Sequence, residues 1–147
     1  MAEILHKITI AAPAATVYTA LTEQRGLAGW WTEKVQAEPR IGAVCRFRFD
    51  GDTGPDMDVV ELEGNKRVRW RCVAHSNDPK HEWLGTEVFF DLDPQSAATI
   101  LRFSHRGWLE GSDFLRYCSL KWATYLIGLK RLLEAGEGTP YPRDIKI

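Results

Sequence analysis

The chain has 147 residues, and 44% of them are hydrophobic, which predicts one domain with a substantial core. Its 19 basic and 20 acidic side chains give a formal net charge of -1, which argues against nucleic acid or an anionic membrane as partner. No segment approaches the roughly 20 apolar residues that cross a bilayer, and the N-terminus lacks a secretion-signal pattern. Three widely spaced cysteines are best interpreted as small buried hydrophobic residues of a cytoplasmic protein.

The first part of the chain predicts one strand followed by two small helices. Apolar and polar residues alternate from Ile4 to Ile10, which is the two-residue period of a strand with one face on a core. Pro13 suits the first position of a helix, which we place near residues 13–22. Gly26 and Gly29 break that run, so a second short helix is expected before Trp30.

The middle of the chain predicts an antiparallel meander. Five alternating segments, separated by turn residues, lie at about 44–49, 57–62, 67–72, 87–92 and 97–107. With the first strand they make a sheet of about six strands. In each segment every second side chain is apolar and should face the core. The side chains between them include arginines and acids, which should keep the outer face solvated through cross-strand pairs.

The last third predicts one long amphipathic helix. Ser112 is a suitable N-cap, apolar residues then recur every three or four positions, and Gly136 ends the pattern. A single helix that follows a single sheet must cover the sheet's apolar face. We therefore predict an α+β helix-grip fold, in which the C-terminal helix packs across a curved sheet and a pocket lies between them.

Several local sequence features carry a family resemblance. The segment that starts at Ile8, ITIAAPAATVYTALTEQRGLAGWW, joins an alanine-proline helix start to a tryptophan pair. Further features follow in order: Gly42 before a Phe-x-Phe strand, Val60-Glu61-Leu62-Glu63 before a Val-x-Trp strand, Thr99-x-Leu101 leading to His105-x-Gly107, and Trp122 in the last helix. Together they resemble the family related to the activator of the ninety-kilodalton heat-shock chaperone ATPase, within the START-like (SRPBCC) superfamily. The resemblance covers nearly the whole chain and implies a single START-like domain over residues 1–147, without implying one ligand or reaction.

The candidate ligand-binding residues lie on the side of a strand or helix that should face the predicted pocket. They are Trp30, Trp31, Phe47, Phe49, Trp70, Phe90, Leu101, Phe103, His105, Cys118, Trp122 and Tyr125. Trp70 and Trp122 are the strongest candidates, although a tryptophan more often serves only as core. His105 could bond to a ligand or act as a base, and the alternative is a structural histidine whose hydrogen bonds are satisfied inside the protein.

A polar loop contains the residues that most resemble a metal site. The four side chains are His75, Asp78, His81 and Glu82, in a turn-rich segment without a spacing that places two ligands on one face. A solvated loop is the favoured interpretation. We expect no metal and no other cofactor.

Three functions remain open. The first is reversible binding of a small hydrophobic or aromatic molecule in the cavity. The second is a chaperone-linked stress-response module, which would use the outer sheet and the loop at 76–82. The third is a cyclase, dehydratase or hydrolase with His105 as acid or base, although no catalytic motif is present. We expect no nucleic-acid or membrane partner and a monomer or homodimer.

Overall fold

The computed structural model describes all residues, 1–147, as one antiparallel sheet covered on one face by helices. None of the three α-helices has the length and hydropathy needed to cross a membrane. A short 3-10 turn at Asp50–Asp52 precedes the fourth strand. In chain order the elements are β1 Ala2–Ile10, α1 Ala14–Thr22, α2 Gln24–Trp30, β2 Lys34–Gln36, β3 Val44–Arg48, β4 Pro55–Glu63, β5 Arg67–His75, β6 Glu87–Pro94, β7 Thr99–Trp108 and α3 Asp113–Ala135.

The sheet has the strand order β1-β7-β6-β5-β4-β3-β2. Strands β2 to β7 form a meander, and β1 pairs with β7, so that Ile4 lies opposite His105. The predicted α+β helix-grip fold is confirmed. The expected strand count was too low by one. Strand β2 has only three residues, of which Val35 alone is buried, and a strand this short gives no periodic hydrophobic signal. Its pairing partner is β3, where Phe47 faces Val35.

The helix ends follow the local sequence. Helix α1 begins directly after Pro13, which lies in the extended region at φ -61°. In α3 the hydroxyl of Ser112 accepts a hydrogen bond from the backbone N–H of Leu115 at 3.2 Å, and Gly136 ends the helix at φ 84°. The 23 residues of α3 therefore form a rod about 35 Å long, at about 1.5 Å per residue.

Three helices share the concave face of the sheet. Helix α3 packs along β1, while α1 covers β5 and β6, and α2 lies against α3. The tryptophan pair at the end of α2 fills the space beneath: Trp31 stacks on Trp70 with ring centroids 5.8 Å apart, and the ring of Trp30 meets the ring of Phe90 edge-on. The centre of the grip is therefore a close-packed aromatic core.

The convex face is a layer of charged side chains, as the alternation predicted. Arg69 pairs with Glu87 at 2.6 Å, and Arg67 pairs with Asp91 on the neighbouring strand. Phe89 is an aromatic side chain on this face, and the guanidinium groups of Arg67, Arg69 and Arg106 lie over its ring. This layer keeps the outer face of the sheet solvated without a large contribution to stability.

Candidate functional site

One cavity of about 350 Å³ opens at the end of the grip, between α3, the β3–β4 and β5–β6 loops, and the C-terminal segment 136–147. This volume lies at the lower end of the range for small-molecule sites. We call it the end pocket. Eight aromatic side chains line it: Trp31, Phe49, Trp83, Phe114, Tyr117, Trp122, Tyr125 and Tyr141. Such a lining presents flat apolar surface with a few polar edges, which suits an aromatic or amphipathic molecule.

The structure divides the sequence-predicted site residues into two groups. Five line the end pocket: Trp31, Phe49, Cys118, Trp122 and Tyr125. The other seven lie in the packed centre of the grip, each 2% exposed or less: Trp30, Phe47, Trp70, Phe90, Leu101, Phe103 and His105. For the six strand residues, Phe47, Trp70, Phe90, Leu101, Phe103 and His105, alternation identified the correct face of the sheet. It gave no information on which part of that face the α2 tryptophans would fill.

Trp31 and Trp122 form the boundary between the core and the end pocket. Their ring centroids are 4.9 Å apart, and Trp31 continues inward as a stack on Trp70. Each of the two rings therefore has one side in the core while it also lines the cavity. The inner wall of the pocket is held by core packing and is rigid for that reason.

His105 is a structural histidine that orients Trp122. Its Nδ1 accepts the indole N–H of Trp122 at 3.2 Å, so the neutral ring carries its hydrogen on Nε2, which donates to the Thr86 hydroxyl at 2.8 Å. That hydroxyl donates in turn to the carbonyl oxygen of Trp83. Burial lowers the pKa of His105 to about 3. Both ring nitrogens are engaged, and His105 does not line the end pocket, which leaves the enzyme hypothesis without its candidate acid or base.

The end of β5 and the β5–β6 loop supply pocket residues that the sequence interpretation missed. The loop was expected to be solvated, and Asp78 and Lys80 are exposed, but His75 and His81 line the end pocket. Their rings stack in parallel with centroids 3.4 Å apart. Burial and the neighbouring His81 lower the pKa of His75 to about 4, and burial also lowers the pKa of His81. This wall of the pocket is uncharged near neutral pH. Two histidines close to Trp83 in a polar loop were the available signal.

The C-terminal segment 136–147 forms a third wall, which the sequence interpretation also missed. The backbone N–H of Tyr141 donates to the Trp31 carbonyl at 2.9 Å, and the Tyr141 carbonyl accepts from the N–H of Glu33 at 3.0 Å. The Tyr141 hydroxyl donates to Asp50 at 2.6 Å. An irregular segment of this kind has no periodicity from which its position could be predicted.

Asp144 fastens the same segment to α3. Its carboxylate accepts from Lys121 at 2.6 Å, from the Tyr125 hydroxyl at 2.9 Å and from Lys146 at 2.7 Å. Burial alone would raise the pKa of this carboxyl, but the three donors outweigh burial and lower the pKa to about 2. Burial and the bond to Asp144 raise the pKa of Tyr125. Asp144 is therefore a fixed anion at the pocket wall.

Formal charges on the lining cancel. Lys121 and Lys146 are balanced by Asp50 and Asp144. In the whole chain, no group of three or more His, Cys, Asp or Glu side chains is placed to share a metal ion. The site therefore offers aromatic contact and local hydrogen bonding, with no net charge on its lining side chains.

The long helix across a curved antiparallel sheet, with a pocket at its end, defines the helix-grip class of START-like domains. A sequence model of the family described as Activator of Hsp90 ATPase homolog 1-like protein matches residues 11–134. The chain belongs to this family. Among curated proteins, none matches the chain significantly.

Solved structures agree with this assignment. The solution structure of the Aha1 dimer from Colwellia psychrerythraea is 40% identical, with a TM-score of 0.85, and the alignment covers 94% of this chain and 100% of that chain. Protein MLL2253 from Mesorhizobium loti is 22% identical, with a TM-score of 0.80 over 90% of this chain and 97% of its own. Protein SSP2350 from Staphylococcus saprophyticus is 17% identical, with a TM-score of 0.75 over 93% and 95%. The last two show the fold alone.

Proposed function

We propose that the protein reversibly binds a small hydrophobic or aromatic molecule in the end pocket. The observation that supports this proposal best is the cavity of about 350 Å³ bordered by eight aromatic rings, in a fold whose centre is otherwise filled. The ligand would lie against Trp31 and Trp122 and beneath Tyr141. Catalysis is not required for this function.

The size of the pocket sets the expected affinity. Burying about 300 Å² of apolar ligand surface at ~25 cal/mol/Å² contributes about 7 kcal/mol before entropic costs. Affinities in the micromolar range or weaker follow from that figure. Hydrogen bonds to polar groups of the wall would add selectivity more than strength.

A fluorescent probe tests the proposal directly. N-phenyl-1-naphthylamine is uncharged and of suitable size, and we expect one molecule to bind per chain with enhanced emission. Tyr117→Ala removes a ring from the pocket rim and should weaken binding roughly three- to ten-fold. Ile127→Ala is the matched control, because Ile127 lies on α3 outside the pocket and is similarly exposed, at 45% against 47% for Tyr117. Absence of stoichiometric binding, or equal loss in both variants, would rule out the end pocket as the site.

Family membership supports a second candidate, a chaperone-linked stress-response function. The matched family is named for an activator of the Hsp90 ATPase, and the Colwellia relative is described as an Aha1 dimer. On this candidate the chain, as a monomer or homodimer, would contact the chaperone through the convex sheet face and the β5–β6 loop. The Arg67–Asp91 and Arg69–Glu87 pairs would lie within that contact.

The two candidates give different results in one assay. Saturating protein should change the ATPase rate of an Hsp90-class chaperone if the second candidate is correct. Arg69→Glu on the convex face should reduce that change, while Tyr117→Ala in the pocket should not. Sedimentation at micromolar concentration would give the oligomeric state of the same samples. An unchanged ATPase rate at saturation eliminates the chaperone candidate and leaves the ligand-binding proposal unaffected.

A further inference from the structure

The outer face of α3 carries an exposed apolar stripe. Tyr117, Leu120 and Ile127 are 47%, 56% and 45% exposed, and Thr124 lies half-buried between them. The other exposed residues of the helix are all charged. The Thr124 hydroxyl donates to the carbonyl of Lys121 at 2.7 Å, so this side chain can be covered without leaving a polar atom unsatisfied. Single exposed apolar residues are ordinary, but a continuous stripe along one helix face is typical of a contact surface.

The stripe follows the repeat of a two-helix seam. From Asp113 the positions advance by 4, 3, 4, 3 and 4 residues through the four stripe residues to Arg131. We call this series of six residues the outer seam. Its mean spacing matches the roughly 3.5-residue repeat of packed helices, and its two charged ends lie on one line of the helix, about 27 Å apart. The series of spacings reads the same from either end. Two antiparallel copies related by a twofold axis can therefore match it along its whole length.

An antiparallel match sets residues of complementary kinds against each other. Each pair forms twice: Tyr117 with the partner's Ile127, Leu120 with the partner's Thr124, and Asp113 with the partner's Arg131. A parallel match would set each residue against its own copy, with like charges facing each other at both ends. The order of charges along the outer seam therefore favours the antiparallel arrangement.

The side chains at the two ends are free to make these pairs. Asp113 is 98% exposed, and its ion pair with Arg116 at 3.3 Å leaves carboxylate oxygen available for a second guanidinium. Arg131 is exposed and forms no ion pair within the chain. Lys121, which lies beside the seam near the twofold axis, is turned toward Asp144 at 2.6 Å. Its charge is thereby paired and does not oppose the approach of a second copy.

We propose that two copies of the chain associate through the outer seam, with their α3 helices antiparallel about a twofold axis. This inference goes beyond the proposed ligand binding and does not depend on what the end pocket holds. A single helix seam covers less than the roughly 800 Å² per partner of a standard interface. The dimer is therefore weak, with a dissociation constant of about 10–100 μM.

Charge reversal, followed by sedimentation equilibrium, tests both the surface and the direction of the helices. Asp113→Arg and Arg131→Asp each place like charges together at both ends of the seam, and each should raise the dissociation constant about three- to ten-fold. The double variant restores both pairs in the opposite sense and should return the constant to within about twofold of the original. Unchanged constants in the single variants, or no recovery in the double variant, would overturn the antiparallel arrangement.

An apolar position at the centre of the seam gives a second, stronger test. Leu120→Asp should raise the dissociation constant at least about ten-fold, because a carboxylate would lose its hydration against the partner subunit. Val44→Asp is the matched control, since Val44 is similarly exposed, at 52%, but lies on β3 away from the seam. Equal effects of the two substitutions, or a chain that stays monomeric at the highest concentrations that sedimentation reaches, would overturn the proposal. These variants leave Tyr117 unchanged, so failure of the dimer can be distinguished from failure of the end pocket.

A measurement on the unaltered chain makes the test independent of the folding of the variants. In a concentrated mixture of isotope-labelled and unlabelled chains, filtered NMR spectra should show an NOE between the Tyr117 ring and the methyl groups of the partner's Ile127. Within one helix these two residues lie about 15 Å apart, too far for an NOE, so the signal can come only from a second copy. Absence of this NOE in a sample that sedimentation shows to be dimeric would place the interface elsewhere and overturn the proposal.

Discussion

Trp122 donates its indole N–H to Nδ1 of His105 at 3.2 Å, and this bond joins the end pocket to the core of the sheet. The chain of hydrogen bonds continues from His105 through Thr86 to the carbonyl of Trp83. The indole of Trp122 and the backbone of Trp83 are thus held in one network around a buried imidazole that does not line the cavity. A polar network inside an aromatic core fixes side-chain positions because every partner must be satisfied.

The buried imidazole predicts a specific pH dependence of stability. Burial holds the pKa of His105 at about 3 against an ordinary value of 6.5, so below about pH 6.5 the unfolded chain binds a proton that the folded chain does not. Stability from this group is fully present above that pH and decreases as the pH falls. Between about pH 7 and about pH 5 the loss should be about 2 kcal/mol, measured by urea unfolding. His105→Gln should reduce the slope of the unfolding free energy against pH by the equivalent of about one bound proton. An unchanged slope would contradict the assignment.

Asp144 should contribute more to stability than exposed acids do. In Asp144→Asn the ammonium of Lys121, only 15% exposed, loses its charged partner, and we expect a loss of about 2 kcal/mol in the free energy of unfolding. The C-terminal segment should also become easier to cleave with a protease. Glu38→Gln is the control, because Glu38 and Arg40 form an exposed pair that should contribute less than about 0.5 kcal/mol. Similar losses in both variants would show that Asp144 does not anchor the segment.

Gly138 should not tolerate a side chain. A Cβ at this position would lie 2.3 Å from the carbonyl oxygen of Gly29, so Gly138→Ala must displace the C-terminal segment from α2. We expect a loss of roughly 1–3 kcal/mol and weaker probe binding, since the wall that carries Tyr141 moves. Gly64→Ala, in an open turn with nothing within 4 Å of its Cβ, should change neither quantity appreciably. Wild-type melting and probe affinity in Gly138→Ala would show that the close approach is relaxed in solution.

The stacked histidine pair should titrate well below its ordinary range. Burial and the adjacent His81 ring lower the pKa of His75 to about 4, and burial lowers the pKa of His81. An NMR titration of the ring protons should therefore show a midpoint near 4 for His75. His81→Phe keeps a flat ring but removes the neighbouring charge, which should move the His75 midpoint upward. A His75 midpoint close to 6.5 would mean that the two rings separate and become hydrated in solution.

Hydrophobic periodicity was sufficient to predict the fold because most of the helices and strands are long and bury only one side. The alternation at 67–72 placed arginines outside and Trp70 inside, and the structure agrees. Ser112 and Gly136 gave the ends of α3 to within a residue. Strand β2 could not be found in this way, because it exists through its pairing with β3 and not through a pattern of its own.

The candidate site was less predictable because a pocket is the space that the packed side chains leave unfilled. A hydrophobic phase shows that Phe90 and Trp122 face inward, but it cannot show that Trp30 will cover Phe90 while Trp122 borders open space. Residues of irregular segments, such as His81 and Asp144, reach the pocket through loop conformation and hydrogen bonds between distant parts of the chain. Neither kind of information has a local signature in one sequence.

The filled centre of the grip separates the residues that specify the architecture from most of those that border the cavity. Besides α3, the cavity is bordered by the β3–β4 and β5–β6 loops and by the chain after Gly136, whereas the sheet interior is occupied by side chains such as Trp70 and Phe90. Apart from anchoring positions such as Gly138 and Asp144, substitutions in these bordering segments can accumulate while the sheet and helices keep their packing. In a domain of this kind the residues that contact a ligand can change while the backbone fold stays the same. Relatives with closely similar backbones therefore need not bind the same ligand.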